Sequence, residues 1–232
     1  MTRRTNARVA GFTFLFYIAV AFPAMLLENR ASSGEGTAAK LASIALHASE
    51  MRLAIVLSLI GCFCALVLAV TLYAITRDQD PDLAMLAMTC RVGEGVIGAV
   101  SLQTTVGNLW LATAAGANAP DPVAAKALGA LLLTLPQWLG IPISATFFAV
   151  GSTLFAYLLL RGRIVPVALA WLGVLASILA VVCLPLQLVG IARGLITDVM
   201  WLPLLVFEVT LGLWLIIKGA AMPPRRQSAL QS

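Results

Sequence analysis

Arg91 and Glu94 stand about one helical turn apart in a stretch otherwise apolar enough to cross a bilayer, and Glu208 interrupts the last apolar segment. A charged side chain at the bilayer centre costs roughly 2.5–3.5 kcal/mol on insertion scales, so such residues face a bundle interior or cavity and pair with one another. An arginine with two carboxylates can do three kinds of chemistry. The carboxylates can hold a proton or cation with Arg91 as counter-ion, or the trio can lock helices together as a static ion cluster. In the third, Glu94 or Glu208 acts as general base with Arg91 stabilising an oxyanion. Arginine is effectively always charged, so full ionisation leaves one net negative charge in a low-dielectric site. One carboxylate is therefore expected to hold a proton or to bind a cation or cationic ligand.

The helix around Arg91 carries more polar residues on the same side. At about 100° per residue, Arg91, Glu94, Gly98, Ser101, Thr105 and Asn108 fall within about 100° of one another, while Gln103 lies on the far side. A polar stripe inside a membrane must face protein or water, which makes this helix central to a bundle and to any cavity in it. Counting residues along each span puts Glu94 and Glu208 near the same middle level, so contact between them is feasible. Arg91, Glu94, Glu208, Ser101, Thr105 and Asn108 are the candidate ligand or proton site.

Composition sets the class of protein that must position these residues. Of 232 residues, 61% are hydrophobic and 11% charged, with a mean hydropathy of +0.98, far from the globular norm of about 45–50% apolar and about 25% charged. The formal charge of +5 does not point to nucleic acid, because the basic residues are scattered at segment ends with no interleaved aromatic stripe. The expected fold is all-α: a polytopic membrane helix bundle with six transmembrane helices in a single domain over residues 1–232.

Six stretches reach the roughly 20 residues a span requires: Val9–Leu27, Met51–Ile75, Leu83–Ala114, Trp138–Leu160, Ile164–Ile191 and Met200–Ile217. Asp80-Pro81 and Asp121-Pro122 read as helix starts, each an N-cap followed by a first-turn proline. Gly162 reads as the end of the fourth span and Pro166 as the first turn of the fifth. With six spans both termini share a side, and that side collects nine lysines and arginines against five on the other. Both termini are therefore expected in the cytoplasm. Trp110, Trp138 and Trp201 fall near the outer interface, and Tyr73, Tyr157, Trp171 and Trp214 near the inner one, which agrees. Arg3, Arg4 and Arg8 before an apolar run ending in Ala19-Val20-Ala21 also have the shape of a secretory signal. The apolar run continues through Leu27, and an uncleaved helix is expected.

Two segments are expected on the outer surface, residues 31–50 and 115–137. In the first, Thr37 can cap a short helix with Leu41, Ile44, Ala45 and Ala48 on one face. In the second, Pro122–Leu135 is helical but too short to span, and Pro136 cuts it from the fourth span. Pro136 and Pro142 around Gln137 and Trp138, and Pro185 with Gln187, are expected to break helices. Gly93, Gly95, Ala99, Gly151 and Ser152 are expected to permit close helix packing. The lone histidine, His47, lies in the outer segment, which removes a His-rich zinc site and a histidine partner for an intramembrane serine. No phosphate-loop, dinucleotide or G-x-S-x-G pattern occurs. Cys62, Cys64, Cys90 and Cys183 lie inside spans and read as small apolar fillers. No metal and no cofactor is expected.

Several runs resemble a known family. They are Arg-Arg-Thr-Asn-Ala-Arg-Val-Ala-Gly leading into the first helix, Cys-Arg-Val-Gly-Glu-Gly around Arg91 and Glu94, Tyr157 to Pro166, and Phe207 to Gly219. Together they look like the bacterial domain of unknown function 4386, over nearly the whole chain. Its most specific parts are the arginine-x-x-glutamate of the third helix and the glutamate of the last, which carry over to Arg91, Glu94 and Glu208. The resemblance implies six helices and a cytoplasmic-membrane location and supplies no activity. The segment before the fourth span departs from the family pattern, which is more polar there and often bears histidine; Gln137 puts any shared metal role in doubt.

The leading functional expectation is small-molecule or ion binding or transport through an outward-facing polar site in the inner membrane. Six spans without a repeat are few for a transporter, so a homo-oligomer such as a dimer is an expected partner arrangement beside the lipid bilayer and a small-molecule or cation ligand. A structural or accessory protein with the trio as packing clamp, and an intramembrane enzyme that lacks an evident nucleophile, stand as alternatives. No nucleic-acid partner is expected.

Overall fold

The structure, a computed structural model, describes residues 1–114, 120–135, 141–191 and 199–221. Among these, eight helices form: α1 Arg3–Ala31, α2 Gly36–Leu46, α3 Ala48–Thr76, α4 Pro81–Thr113, α5 Pro122–Leu135, α6 Ile141–Arg161, α7 Val167–Leu188 and α8 Trp201–Ile217. Five of them, α1, α3, α4, α6 and α7, are long and apolar enough to cross a membrane. The chain is thus a polytopic helical membrane protein. α8 has 17 residues.

Local chemistry fixes several helix starts. The Thr5 N–H donates to the Thr2 hydroxyl at 3.1 Å before α1. Asp80 Oδ1 accepts from the Leu83 N–H at 3.1 Å, and Asp121 Oδ1 accepts from the N–H groups of Val123 at 2.9 Å and Ala124 at 3.1 Å. Each side chain satisfies a donor that the first turn leaves free, and Pro81 and Pro122 begin helices where no N–H is needed. α2 starts differently from the Thr37 cap expected. Glu35 precedes it without a side-chain cap, and Gly34 and Gly36, at φ 122° and 80°, make the turn.

α6 ends at Arg161, directly before Gly162, as expected, but the left-handed residue of the turn is Arg163, at φ 46°, and not Gly162. The Arg163 N–H donates to the Leu160 carbonyl and the Ile164 N–H to that of Leu159, at 3.1 and 3.0 Å, the paired bonds of a Schellman motif. Gly162 leaves room for a neighbour instead: a Cβ there would lie 2.7 Å from the Gln79 side chain, which would have to shift. α7 is shorter than the span Ile164–Ile191 because Pro166 precedes its first turn and Gly190, at φ 79°, closes it with the same motif. Pro185 does not interrupt it: the helix runs on to Leu188. Pro136, Gln137 and Trp138 lie outside the described residues.

The long helices close into a ring. α1, α3, α4, α6 and α7 pack on one another in chain order, and α8 packs between α7 and α1. α1 and α8 cross at backbone contact, where a Cβ on Gly11 would lie 2.6 Å from the Gly212 carbonyl oxygen. Gly95 and Gly151 permit similar approaches, of α4 to α3 and of α6 to α4. At one end, called here the terminal end, Arg3 at the start of α1 pairs with Asp78 at 3.2 Å and Arg161 pairs with Asp80 at 3.1 Å. At the far end α2 and α5 pack on α4 and on each other, burying Ile44 with Ala31 and Met51.

Candidate functional site

The inner face of α1 follows alternating steps of three and four residues: Ala7, Ala10, Phe14 and Tyr17, then Ala24, Glu28 and Ala31. That spacing keeps one stripe turned inward over the helix length. On α4 the inward residues include Ala87, Cys90, Arg91, Glu94 and Asn108, all buried, and α8 contributes Phe207, Glu208 and Leu211. The three stripes meet about halfway along the ring.

Arg91 is 1% exposed, Glu94 5% and Glu208 8%, so the charges are buried inside the ring. Arg91 Nη1 donates to Glu94 Oε2 at 2.8 Å. On the other branch of the guanidinium, Nη2 is 4.0 Å from Glu208 Oε1, too far for a hydrogen bond. Arg91 Nε and Nη2 and Glu208 Oε1 have no hydrogen-bond partner among the described residues. The guanidinium carbon instead lies 4.8 Å from the centre of the Phe148 ring and 6.0 Å from that of Phe14, within the range of cation–π attraction. The Tyr17 hydroxyl donates to Glu94 Oε1 at 3.2 Å. The Ser144 hydroxyl donates to the Glu94 carbonyl at 3.0 Å, tying α6 to the same turn of α4.

A cavity of about 10 Å³ touches Glu208, with Ser152 as its other polar wall and Phe14, Phe155 and Phe207 among its apolar ones. That volume matches about one water molecule. It lies on the terminal side of Glu208, not toward Asn108 as an outward-facing cavity would. Among the described residues no three His, Cys, Asp or Glu side chains converge as metal ligands.

The remaining candidates do not reach this centre. The Ser101 hydroxyl donates to the Ile97 carbonyl of its own helix at 2.8 Å. Thr105 donates to Glu28 Oε1 at 3.4 Å, and Asn108 is buried with Oδ1 unpartnered. Glu94 and Thr105 are separated by about 16 Å of helix. The stripe thus divides into a charged centre and a second polar level nearer the far end. Tyr17, Glu28, Phe14 and Phe148 are missing from the residues read off the sequence, although the three-and-four spacing of α1 marks Tyr17 and Glu28 as inward.

A buried arginine–carboxylate centre inside a ring of apolar helices defines a polytopic membrane protein with an internal ion cluster. Its family follows from the chain as a whole: residues 9–219 match the family described as Domain of unknown function (DUF4386), and the protein belongs to it. No curated protein and no solved structure matches the chain.

Proposed function

We propose that this chain is a six-span protein of the bacterial inner membrane, with its terminal end in the cytoplasm, and that the Arg91–Glu94–Glu208 centre is a binding site for an exchangeable proton. α8 supplies the sixth span: 17 residues lie at the lower limit of the roughly 17–25 that cross a bilayer. The observation that carries the proton reading is the asymmetry of the two carboxylates about one guanidinium. Glu94 has Arg91 and Tyr17 as donors, whereas Glu208 Oε1 is buried 4.0 Å from Arg91 without a hydrogen bond. One cation between two carboxylates is neutral only when one carboxyl is protonated, and burial favours the neutral cluster. Glu208 is the group left to carry that proton. The adjoining void, of about 10 Å³, has room for water and a proton and none for a larger solute.

The test is proton movement in liposomes holding a pH-sensitive dye, driven by a potassium diffusion potential. Wild type is expected to acidify the lumen and Glu208→Gln to abolish this. Equal fluxes in the two proteins, or none in either, would contradict proton transport through Glu208.

A second reading has its own support. The 2.8 Å Arg91–Glu94 pair is buried, and Arg91 joins α4 to the helix that closes the ring. In that reading the cluster is a clamp, and Glu208→Gln lowers the thermal midpoint without changing any flux.

A further inference from the structure

At the terminal end the segment after α8 crosses the α6–α7 turn, the Ala221 N–H donating to the Ile164 carbonyl at 3.1 Å. Beside this crossing lies an open groove of about 300 Å³, walled by Arg163, Pro166, Trp214 and Lys218 among others. A groove of that volume is in the range of small-ligand sites. Arg163 and Lys218 are exposed, and among the described residues neither forms an ion pair. Of the other cations of this end, Arg3 and Arg161 pair with aspartates and Arg77 lies over the Tyr73 ring, while Arg4 and Arg8 are exposed and do not line the groove.

Arg163 also occupies a backbone conformation that opposes it. At φ 46° it holds the left-handed position of the Schellman turn, where glycine fits without steric cost and an L side chain does not. Gly190 fills the same position after α7. A cation kept where the backbone favours glycine points to work for its side chain.

We propose that this groove binds a phosphate-bearing anion, with Arg163 and Lys218 as the charge clamp and the Trp214 ring as an apolar wall. The phosphate comes either from the headgroup of an anionic phospholipid or from free inorganic phosphate. The position favours the headgroup: the groove lies at the ends of membrane-crossing helices, where basic pockets and tryptophan meet the headgroup layer. The two cations also lie at the C-terminal ends of α6 and α8, whose exposed carbonyls attract positive charge. The experiment separates that role from anion binding.

Full-length protein is reconstituted in nanodiscs of phosphatidylcholine containing a minor share of phosphatidylglycerol, then released for native mass spectrometry. Wild type is compared with Arg163→Gly, Lys218→Gln and the double variant, and their thermal midpoints are recorded with and without inorganic phosphate. Arg163→Gly suits the left-handed position, so it removes the cation without unfolding the turn. Wild type is expected to retain phosphatidylglycerol over phosphatidylcholine. Each single variant is expected to retain roughly fivefold less and the double variant roughly thirtyfold less, while the thermal midpoint of Arg163→Gly holds or rises. Phosphate raising the midpoint of wild type but not of the double variant, without lipid retention, would assign the site to free phosphate. Equal lipid retention in wild type and double variant, with no phosphate effect in either, would overturn the proposal and leave the cations serving the helix ends.

Discussion

Tyr17 on α1 donates its hydroxyl to Glu94 on α4 at 3.2 Å, with α3 packed against both helices. The Thr105–Glu28 bond repeats the tie, and both bonds join residues 77 apart in sequence. α1 and α4 therefore run parallel, held in one register at two levels. With the Tyr17 bond, each Glu94 carboxylate oxygen has a donor, whereas Glu208 Oε1 has none among the described residues. Removing the Tyr17 hydroxyl should be felt as a lost bond to a charged acceptor, about 1.5–3 kcal/mol. Tyr17→Phe is expected to lower unfolding stability in detergent by that amount, and Tyr73→Phe, which leaves the ring over which Arg77 lies, by much less.

The ion cluster predicts a non-additive series. Arg91→Met leaves two carboxylates in a site without a cation, and breaking a buried pair costs about 3–5 kcal/mol in soluble proteins. The triple variant Arg91→Met, Glu94→Gln, Glu208→Gln removes all the charge together. Denaturation in detergent is expected to find the triple variant more stable than Arg91→Met alone; the reverse order would show that the charges are not coupled.

Gly11 and Gly212 set how closely α1 and α8 approach. Gly11→Leu places a branched side chain where a Cβ alone would lie 2.6 Å from the Gly212 carbonyl. The ring is then expected to open at α8, read as loss of monodisperse protein in size-exclusion chromatography. Phe12→Leu, one residue away on the exposed face, is expected to leave the elution profile unchanged.

Asp80 does two jobs that substitution can separate. Its Oδ1 caps α4 and its Oδ2 pairs with Arg161. Asp80→Ala loses both and is expected to cost about 0.5–2 kcal/mol. Asp80→Asn keeps a capping oxygen and loses only a pair half open to solvent, so its cost is expected below about 1 kcal/mol. Thermal midpoints of the two variants give the comparison.

Much of this architecture is legible in the sequence because lipid imposes strict composition. The long helices lie where the apolar runs are, and the Asp-Pro starts at 80–81 and 121–122 are where their chemistry puts them. Arg91, Glu94 and Glu208 stand out because a charge inside an apolar run is too costly to leave unpaired, and the structure brings them together. Their continuation through Ser101, Thr105 and Asn108 is misleading as a single site. Helical periodicity finds the inward side but not the partners, and Ser101 satisfies its hydroxyl on its own backbone. Tyr17 escapes a reading by residue type because tyrosine in membrane helices is first taken for an interface residue; only its place on the three-and-four stripe of α1 sets it apart. The Arg163 turn is illegible for the opposite reason: Gly162 is the residue that glycine preference selects, and its own space is occupied by Gln79.

The measurement that tests the central claim most directly is the infrared absorption of protonated carboxyl groups in the reconstituted protein, recorded across a pH titration and after exchange into heavy water. A single exchangeable proton on the cluster predicts a carboxylic C=O band in wild type that shifts in heavy water, disappears in Glu208→Gln and persists in Glu28→Gln. A wild-type spectrum without that band, or a band that Glu208→Gln leaves intact, would contradict the assignment of the proton to Glu208.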